Sequence, residues 1–116
     1  MFVSRKIKGD ILMVHIYNKL VRDRIPEIIK ASGKDCKTEI LSDEKYLRML
    51  DVKLNEELEE YYQNHSIEEL ADLLEVIRAS AIARGYTLEE LEQIRTEKLS
   101  KRGGFEKKIL LIEVVE

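Results

Sequence analysis

The sequence predicts an all-α protein: a four- to five-helix bundle with an antiparallel central hairpin, oligomeric, and with a C-terminal strand or arm. Two observations lead to this prediction. Apolar residues recur at intervals of three and four along the long segments that follow helix-capping residues, which is the spacing of one buried helix face. In addition, 37% of the 116 residues are charged and only one is proline, a composition that favours helices with solvated outer faces.

The sequence predicts that the chain divides into an N-terminal appendage, residues 1–12, and one helical domain, residues 13–116. Met13 directly precedes the first patterned segment, which is why the boundary is placed there. Pro26 is suited to the first turn of a short helix over about 26–32, and Gly33 ends it. A chain of this length fits a single domain with one core.

The next predicted helix covers about 43–63, because Ser42 can cap it and acidic residues follow in its first turn. A last helix begins at Thr87 and ends before the glycine pair at 103–104. The tail that follows contains a β-favouring run at 109–115, which predicts the strand or extended arm. The apolar face of helix 43–63 consists of Leu47, Leu50, Leu54, Leu58 and Tyr61.

Between these two helices, residues 66–84 form an unusually apolar predicted helix, which starts at Ser66 and ends at Gly85. Apolar residues cover most of its circumference, and a helix of that kind is normally surrounded by protein. A chain of 116 residues has little material with which to surround it. The sequence therefore predicts a homodimer or tetramer in which this helix is central.

Two acidic pairs lie at matching distances from the loop at Asn64 and His65. Glu60 and Glu69 are equally far from it, and so are Glu57 and Asp72. Residues three apart share a helix face, and packed helices lie roughly 8–10 Å apart. If the helices fold back on each other, the four carboxylates converge, and Mg²⁺ prefers oxygen ligands of this kind. The spacing thus predicts a divalent metal site.

A simpler interpretation remains open for most of these acids. Glu69 stands three residues after Ser66, so a capping box alone would explain it, and its loss would then cost stability. Lys53 and Glu57 are four apart and could form an ordinary surface pair. Asp72 favours the metal site most strongly, because it lies in the apolar helix and has no capping role.

Basic residues gather before the first predicted helix, at Lys19 and Arg22, and at the end of the last one, at Lys98 and Arg102. Basic residues at a helix end can simply offset the helix dipole. Alternatively, these groups hold the phosphates of a ligand, and the glycines after Arg102 would add backbone N–H donors.

Three segments together resemble the MazG-like all-α nucleoside triphosphate pyrophosphohydrolases, whose relatives include phosphoribosyl-ATP pyrophosphohydrolases. The first is Glu-Glu-Leu-Glu-Glu at 56–60 followed by Glu-Leu-Ala-Asp at 69–72. The others are Lys-Leu-Val-Arg-Asp-Arg-Ile-Pro at 19–26 and Arg-Gly-Gly-Phe at 102–105. The similarity spans about residues 17–112.

This resemblance implies a Mg²⁺-dependent hydrolysis, with Mn²⁺ as a substitute, in which a nucleoside triphosphate yields NMP and pyrophosphate. It implies that the metal binds between two helices and that Glu56 or Glu60 accepts a proton from water. Lys98 and Arg102, with Lys19 and Arg22 as second choice, would hold the phosphates. The implied metal ligands are Glu57, Glu60, Glu69 and Asp72.

Two other functions stay open: phosphoribosyl-ATP as the substrate, and a helical dimer without catalysis that serves as a binding module. The net charge of −3 is too small to favour nucleic acid or an anionic membrane as partner. The single cysteine, Cys36, cannot form an internal disulfide and suits a reducing compartment. Since neither a membrane-spanning run nor a secretory signal is recognisable, we expect a cytoplasmic protein.

Overall fold

The computed structural model describes residues 2–7 and 9–116, and this part of the chain is mainly helical. Two short strands precede four helices. The helices confirm the predicted segments to within one or two residues. In chain order the elements are β1 Phe2–Ile7, β2 Asp10–His15, α1 Ile25–Ala31, α2 Asp43–Asn64, α3 Ile67–Ala83 and α4 Leu88–Arg102.

The strands form a two-stranded antiparallel β-hairpin that the sequence did not predict. Its register pairs Phe2 with His15 at one end and Ile7 with Asp10 at the other. Gly9 lies in the turn with φ of 85°, a backbone conformation that glycine adopts without strain. β2 crosses the position between residues 12 and 13, where the sequence suggested a boundary.

The boundaries of α2 follow from local chemistry. Ser42 accepts a hydrogen bond from the Lys45 backbone N–H at 3.2 Å, which satisfies one of the free donors of the first turn. The helix ends at His65, whose φ of 55° is left-handed, and its ring packs edge-on against Tyr61 at 5.1 Å. The chain therefore turns sharply within two residues and starts α3 at once.

Similar caps delimit α3 and α4. Ser66 accepts from the Glu69 N–H at 3.3 Å, and Thr87 accepts from the Glu90 N–H at 3.0 Å. Gly85 follows α3 with φ of 91°, and Gly103 follows α4 with φ of 81°. Because a residue with a Cβ is strained there, glycine is what allows the chain to leave each helix in that direction.

The closest packing between helices joins α2 to α3, and α4 contacts α3. Asp51, early in α2, lies 3.7 Å from Arg84 just after α3, while Glu57, later in α2, lies beside Asp72 near the start of α3. The contacts thus run in opposite order along the two helices. Leu50 and Val76 are the buried apolar residues of the described chain.

The tail after α4 contains no strand within the described residues, so the first of the two predicted alternatives does not form; a turn at 105–107 leads into a segment without regular secondary structure. Its apolar side chains are exposed, Phe105 almost completely at 97%. No helix among the described residues has both the length and the apolar character needed to cross a membrane.

Candidate metal centre

Three carboxylates from two helices meet in one place. Glu57 of α2 and Glu69 and Asp72 of α3 each offer an oxygen, and these oxygens all lie within 4.8 Å of one another. The spacing of three between Glu69 and Asp72 puts both on one face of α3. The short turn at His65 places that face against α2. This acidic cluster contains three of the four predicted metal ligands.

The acidic cluster is unusual because it is partly removed from water. Glu57 is only 6% exposed, the one buried charged residue of the described chain. The Oε2 atoms of Glu57 and Glu69 are shielded from solvent and have no hydrogen-bond partner among the described residues. Burying a carboxylate oxygen without a donor or cation is costly, so this geometry favours a proton or a cation at the cluster.

Glu69 is free to serve the cluster because its side chain does not take part in a capping box. In a full capping box the Glu69 carboxylate would accept from the Ser66 N–H. Here the Ser66 N–H donates instead to Asn64 Oδ1 at 3.0 Å. Asn64 thereby replaces Glu69 at the helix start, so a capping box does not account for Glu69, whereas the Lys53–Glu57 pair of the simpler interpretation does form.

Glu60, the fourth predicted ligand, lies close enough to the cluster to share its electrostatics. Desolvation, a hydrogen bond with Glu57, and the negative charges of Glu57, Glu69 and Glu56 raise the pKa of Glu60 to about 7. Protonation of Glu60 would supply a donor to Glu57. A cation in the cluster would also reduce the repulsion among these carboxylates, and it would favour the ionised form of Glu60.

Glu56 faces two lysines. Its Oε1 lies 3.4 Å from Lys19 Nζ and 3.2 Å from Lys53 Nζ, and Lys53 also reaches Glu57 Oε1 at 3.2 Å. Burial by itself lowers the pKa of Lys53, but its hydrogen bonds to Glu57 and Glu56 outweigh that effect and raise it. Lys53 is a site residue that the sequence analysis treated only as a surface partner; its spacing to Glu56 and Glu57 was the available signal.

Arg22 supplies a further positive charge. Its Nη2 donates to Asp72 Oδ1 at 2.7 Å, which brings the segment before α1 onto α3. Together, Arg22, Lys19 and Lys53 place three positive charges near five acids. If all five acids are ionised, two negative charges are left without a cation. The acids are Glu56, Glu57, Glu60, Glu69 and Asp72.

The other two predicted phosphate ligands lie elsewhere in the chain. Lys98 and Arg102 line an open groove at the C-terminal end of α4, together with Arg95, Leu99 and the start of the tail. The acids belong to α2 and α3, and the cations paired with them in the described chain are Lys19, Arg22 and Lys53. Arg22 of the second-choice pair therefore contacts the acidic cluster and Lys19 contacts the adjacent Glu56, whereas the first-choice pair lines a groove that contains none of these acids.

The donor set fits a small divalent cation. All its ligands are oxygens, two buried oxygens of Glu57 and Glu69 have no hydrogen-bond partner in the described part of the chain, and the exposed sides of Asp72 leave room for water or phosphate oxygens. A site with few protein ligands and open positions suits phosphate chemistry better than permanent storage of an ion.

Comparison with known proteins identifies one relative with limited coverage. A protein described as uncharacterized from Mycolicibacterium smegmatis is 55% identical over 42 residues, which cover 36% of this chain and 43% of the relative. The aligned part thus spans less than half of that relative. No family model matches the chain, and no solved structure matches it.

Proposed function

We propose that this protein is a Mg²⁺-dependent nucleoside triphosphate pyrophosphohydrolase that releases NMP and pyrophosphate. The observation that carries the proposal is the convergence of Glu57, Glu69 and Asp72 within 4.8 Å, with two shielded oxygens that no described residue hydrogen-bonds. A buried carboxylate oxygen without a donor or cation is costly, and a dication is the partner that the geometry of these oxygens fits. The resemblance of the sequence motifs supports the reaction class.

In this proposal Glu57, Glu69 and Asp72 hold the ion, and ionised Glu60 is a fourth ligand. Bound Mg²⁺, or Mn²⁺, would neutralise charge on the phosphate oxygens and on the leaving pyrophosphate. The protein has little covalent chemistry to perform, because positioning and charge stabilisation account for most of the catalysis of phosphoryl transfer.

Glu60 is better suited than Glu56 to accept the proton of the attacking water. Glu56 already accepts hydrogen bonds from Lys19 and Lys53, both at its Oε1. Glu60 has a pKa of about 7 in this environment. That value belongs to the metal-free cluster, and a bound cation would lower it. Glu60 is favoured over Glu56 because no lysine or arginine pairs with it among the described residues.

Arg22 and Lys19 are the phosphate ligands that the same chain can supply. Arg22 pairs with Asp72 of the cluster and Lys19 with the neighbouring Glu56, and both remain partly exposed, with side chains 56% and 37% accessible. A nucleotide bound to the ion would bring its phosphates next to them. Lys98 and Arg102 fit the proposal as contributions from a second copy of the chain, whose α4 groove would approach the cluster.

The shape of the chain supports an oligomer, a homodimer or tetramer. The radius of gyration is 20.1 Å, whereas a compact domain of 116 residues has about 13 Å. Apolar side chains of α3 are open to solvent, with Leu70 41%, Leu74 54% and Ile77 37% exposed. A second copy that packed on α3 would cover them and supply the core that one chain lacks.

Association can be tested with Leu74→Glu, which puts a charge on the exposed face of α3. We expect a smaller particle by size-exclusion chromatography with light scattering, with loss of cooperative unfolding. Ile40→Glu is the matched control, since Ile40 is 97% exposed in the segment before α2. A wild-type monomer in solution would contradict this part of the proposal.

The activity itself is tested with a panel of nucleoside triphosphates and phosphoribosyl-ATP, assayed for pyrophosphate with Mg²⁺, with Mn²⁺ and with chelator. Release of NMP and pyrophosphate that depends on the dication supports the proposal. Turnover of phosphoribosyl-ATP alone would indicate the narrower substrate. No release from any substrate, and no thermal stabilisation by Mg²⁺ with a non-hydrolysable triphosphate, would leave a non-catalytic helical oligomer.

A further inference from the structure

Lys53 makes the most shielded ionic contact of the described chain. It precedes the acids by one turn of α2, and its Nζ lies 3.2 Å from Oε1 of both Glu56 and Glu57. The Lys53 side chain is 15% exposed and that of Glu57 is 8% exposed. The interaction is therefore little screened by water, and it fixes the orientation of both carboxylates.

The two oxygens of Glu57 consequently have different environments. Oε1 accepts from Lys53, whereas Oε2 is shielded and has no partner among the described residues. An ion among Glu57, Glu69 and Asp72 can take Oε2 without disturbing the lysine. To bind both oxygens of Glu57, the ion would have to displace the Lys53 ammonium, which would then lose its contact with Glu57.

We propose that Lys53 is a specificity-determining positioning residue, which restricts Glu57 to one metal-facing oxygen and so favours Mg²⁺ or Mn²⁺ over Ca²⁺. This inference rests on the proposed dication at the acidic cluster. Ca²⁺ takes six to eight oxygens and commonly uses carboxylates in bidentate fashion, whereas Mg²⁺ takes six in a strict octahedron and keeps several waters. A Glu57 that offers one oxygen to the ion therefore suits the coordination of Mg²⁺ better than that of Ca²⁺.

The experiment measures dissociation constants for Mg²⁺, Mn²⁺ and Ca²⁺ on the full chain by calorimetry, without nucleotide. Lys53→Met removes the ammonium and keeps most of the side chain's length, and Lys53→Arg keeps the charge. Lys45→Met is the matched control on the same helix. Lys45 Nζ lies 3.3 Å from Glu39 Oε1, and this ion pair does not involve the cluster. We expect Mg²⁺ to bind the wild type more tightly than Ca²⁺.

In Lys53→Met the affinity for Ca²⁺ relative to Mg²⁺ should rise about tenfold, the scale of effects seen when a partner of a metal ligand is removed. Lys53→Arg and Lys45→Met should keep the wild-type ratio. A role limited to stability would move the melting temperature of Lys53→Met and leave the ratio of the two affinities unchanged.

An unchanged ratio in Lys53→Met, with the wild type binding Mg²⁺, overturns this inference and leaves the proposed function standing. A wild type that binds neither ion overturns both. If Lys53→Met folds only with a dication present, the Mg²⁺ and Ca²⁺ concentrations at half folding give the same ratio. If Lys53→Met does not fold under any of these conditions, the same ratio of affinities is measured on Lys53→Ala.

Discussion

Arg22 Nη2 lies 2.7 Å from Asp72 Oδ1, and this contact joins two segments that are 50 residues apart in the chain. Both side chains are about half exposed, so an ion pair of this kind contributes at most about 1 kcal/mol to stability. Its consequence lies in the site. It brings a guanidinium, which suits phosphate oxygens, next to a carboxylate that suits a metal ion.

Asp72→Asn should abolish hydrolysis, with a loss of at least about 100-fold, because even the outer partners of metal ligands are worth 10- to 100-fold. The melting temperature in chelator should change little, since only an exposed ion pair is lost. The measurements are pyrophosphate release and thermal unfolding. Asp51→Asn is the control: Asp51 pairs with Arg84 at 3.7 Å outside the cluster and should keep full activity. Substantial turnover by Asp72→Asn would remove Asp72 from the site.

Comparing Glu69→Gln with Ser66→Ala should show whether the Glu69 side chain serves the metal site or caps the start of α3. The Ser66 hydroxyl caps α3 through the Glu69 N–H, so Ser66→Ala should lower the free energy of unfolding by about 1 kcal/mol and keep stabilisation by Mg²⁺. Glu69→Gln removes a charge from a crowded cluster and should leave metal-free stability unchanged or up to about 1 kcal/mol higher. It should also lose most of the stabilisation by Mg²⁺.

Urea unfolding with and without Mg²⁺ measures both effects. An equal loss of stability in the two variants, with Mg²⁺ stabilisation intact in both, would show that Glu69 serves the helix start. The structure predicts otherwise, because Asn64 already accepts the Ser66 N–H.

Metal-free stability should fall with rising pH because of Glu60. The pKa of Glu60 is about 7 in the folded protein, above its ordinary value of 4.5, so the folded state binds the proton more tightly than the unfolded chain. This contribution is fully present below pH 4.5 and is lost as the pH rises through about 7. In chelator, wild type should therefore lose stability relative to Glu60→Gln over that range.

Saturating Mg²⁺ should remove most of this difference, because the cation favours the ionised cluster. Urea unfolding at several pH values gives the curves. Parallel curves for wild type and Glu60→Gln in chelator would show that Glu60 does not share the electrostatics of the cluster.

Arg102→Ala should raise KM for the triphosphate. Mixing the Arg102→Ala and Asp72→Asn variants should show whether Arg102 acts in the site of its own chain or of a second copy. If Arg102 serves the site of a second copy, then Arg102→Ala and Asp72→Asn damage the same site from opposite chains. In a randomly mixed dimer population, about a quarter of the sites then carry neither change. Activity near that level after unfolding and refolding the mixture together would support the shared site. An Arg102→Ala variant with unchanged KM would exclude Arg102 from it.

Local features of the fold could be predicted from the sequence because neighbouring residues decide them. Ser42, Ser66 and Thr87 each accept an N–H three residues later, and Gly85 and Gly103 adopt the positive φ that follows a helix. The β-hairpin at Phe2–His15 was missed because its strands had been assigned to an appendage and a patterned segment. Its pairing depends on a turn that the apolar periodicity did not indicate.

The sequence by itself determined where α2 and α3 begin and end and how Glu57, Glu69 and Asp72 are spaced along them, since caps and spacing act within a few residues. Only the tertiary structure decided which cations accompany these acids. It brings Lys19 and Arg22 to them and places Lys98 and Arg102 in another groove. These relationships arise when distant segments pack, and residue spacing along the chain does not encode that packing.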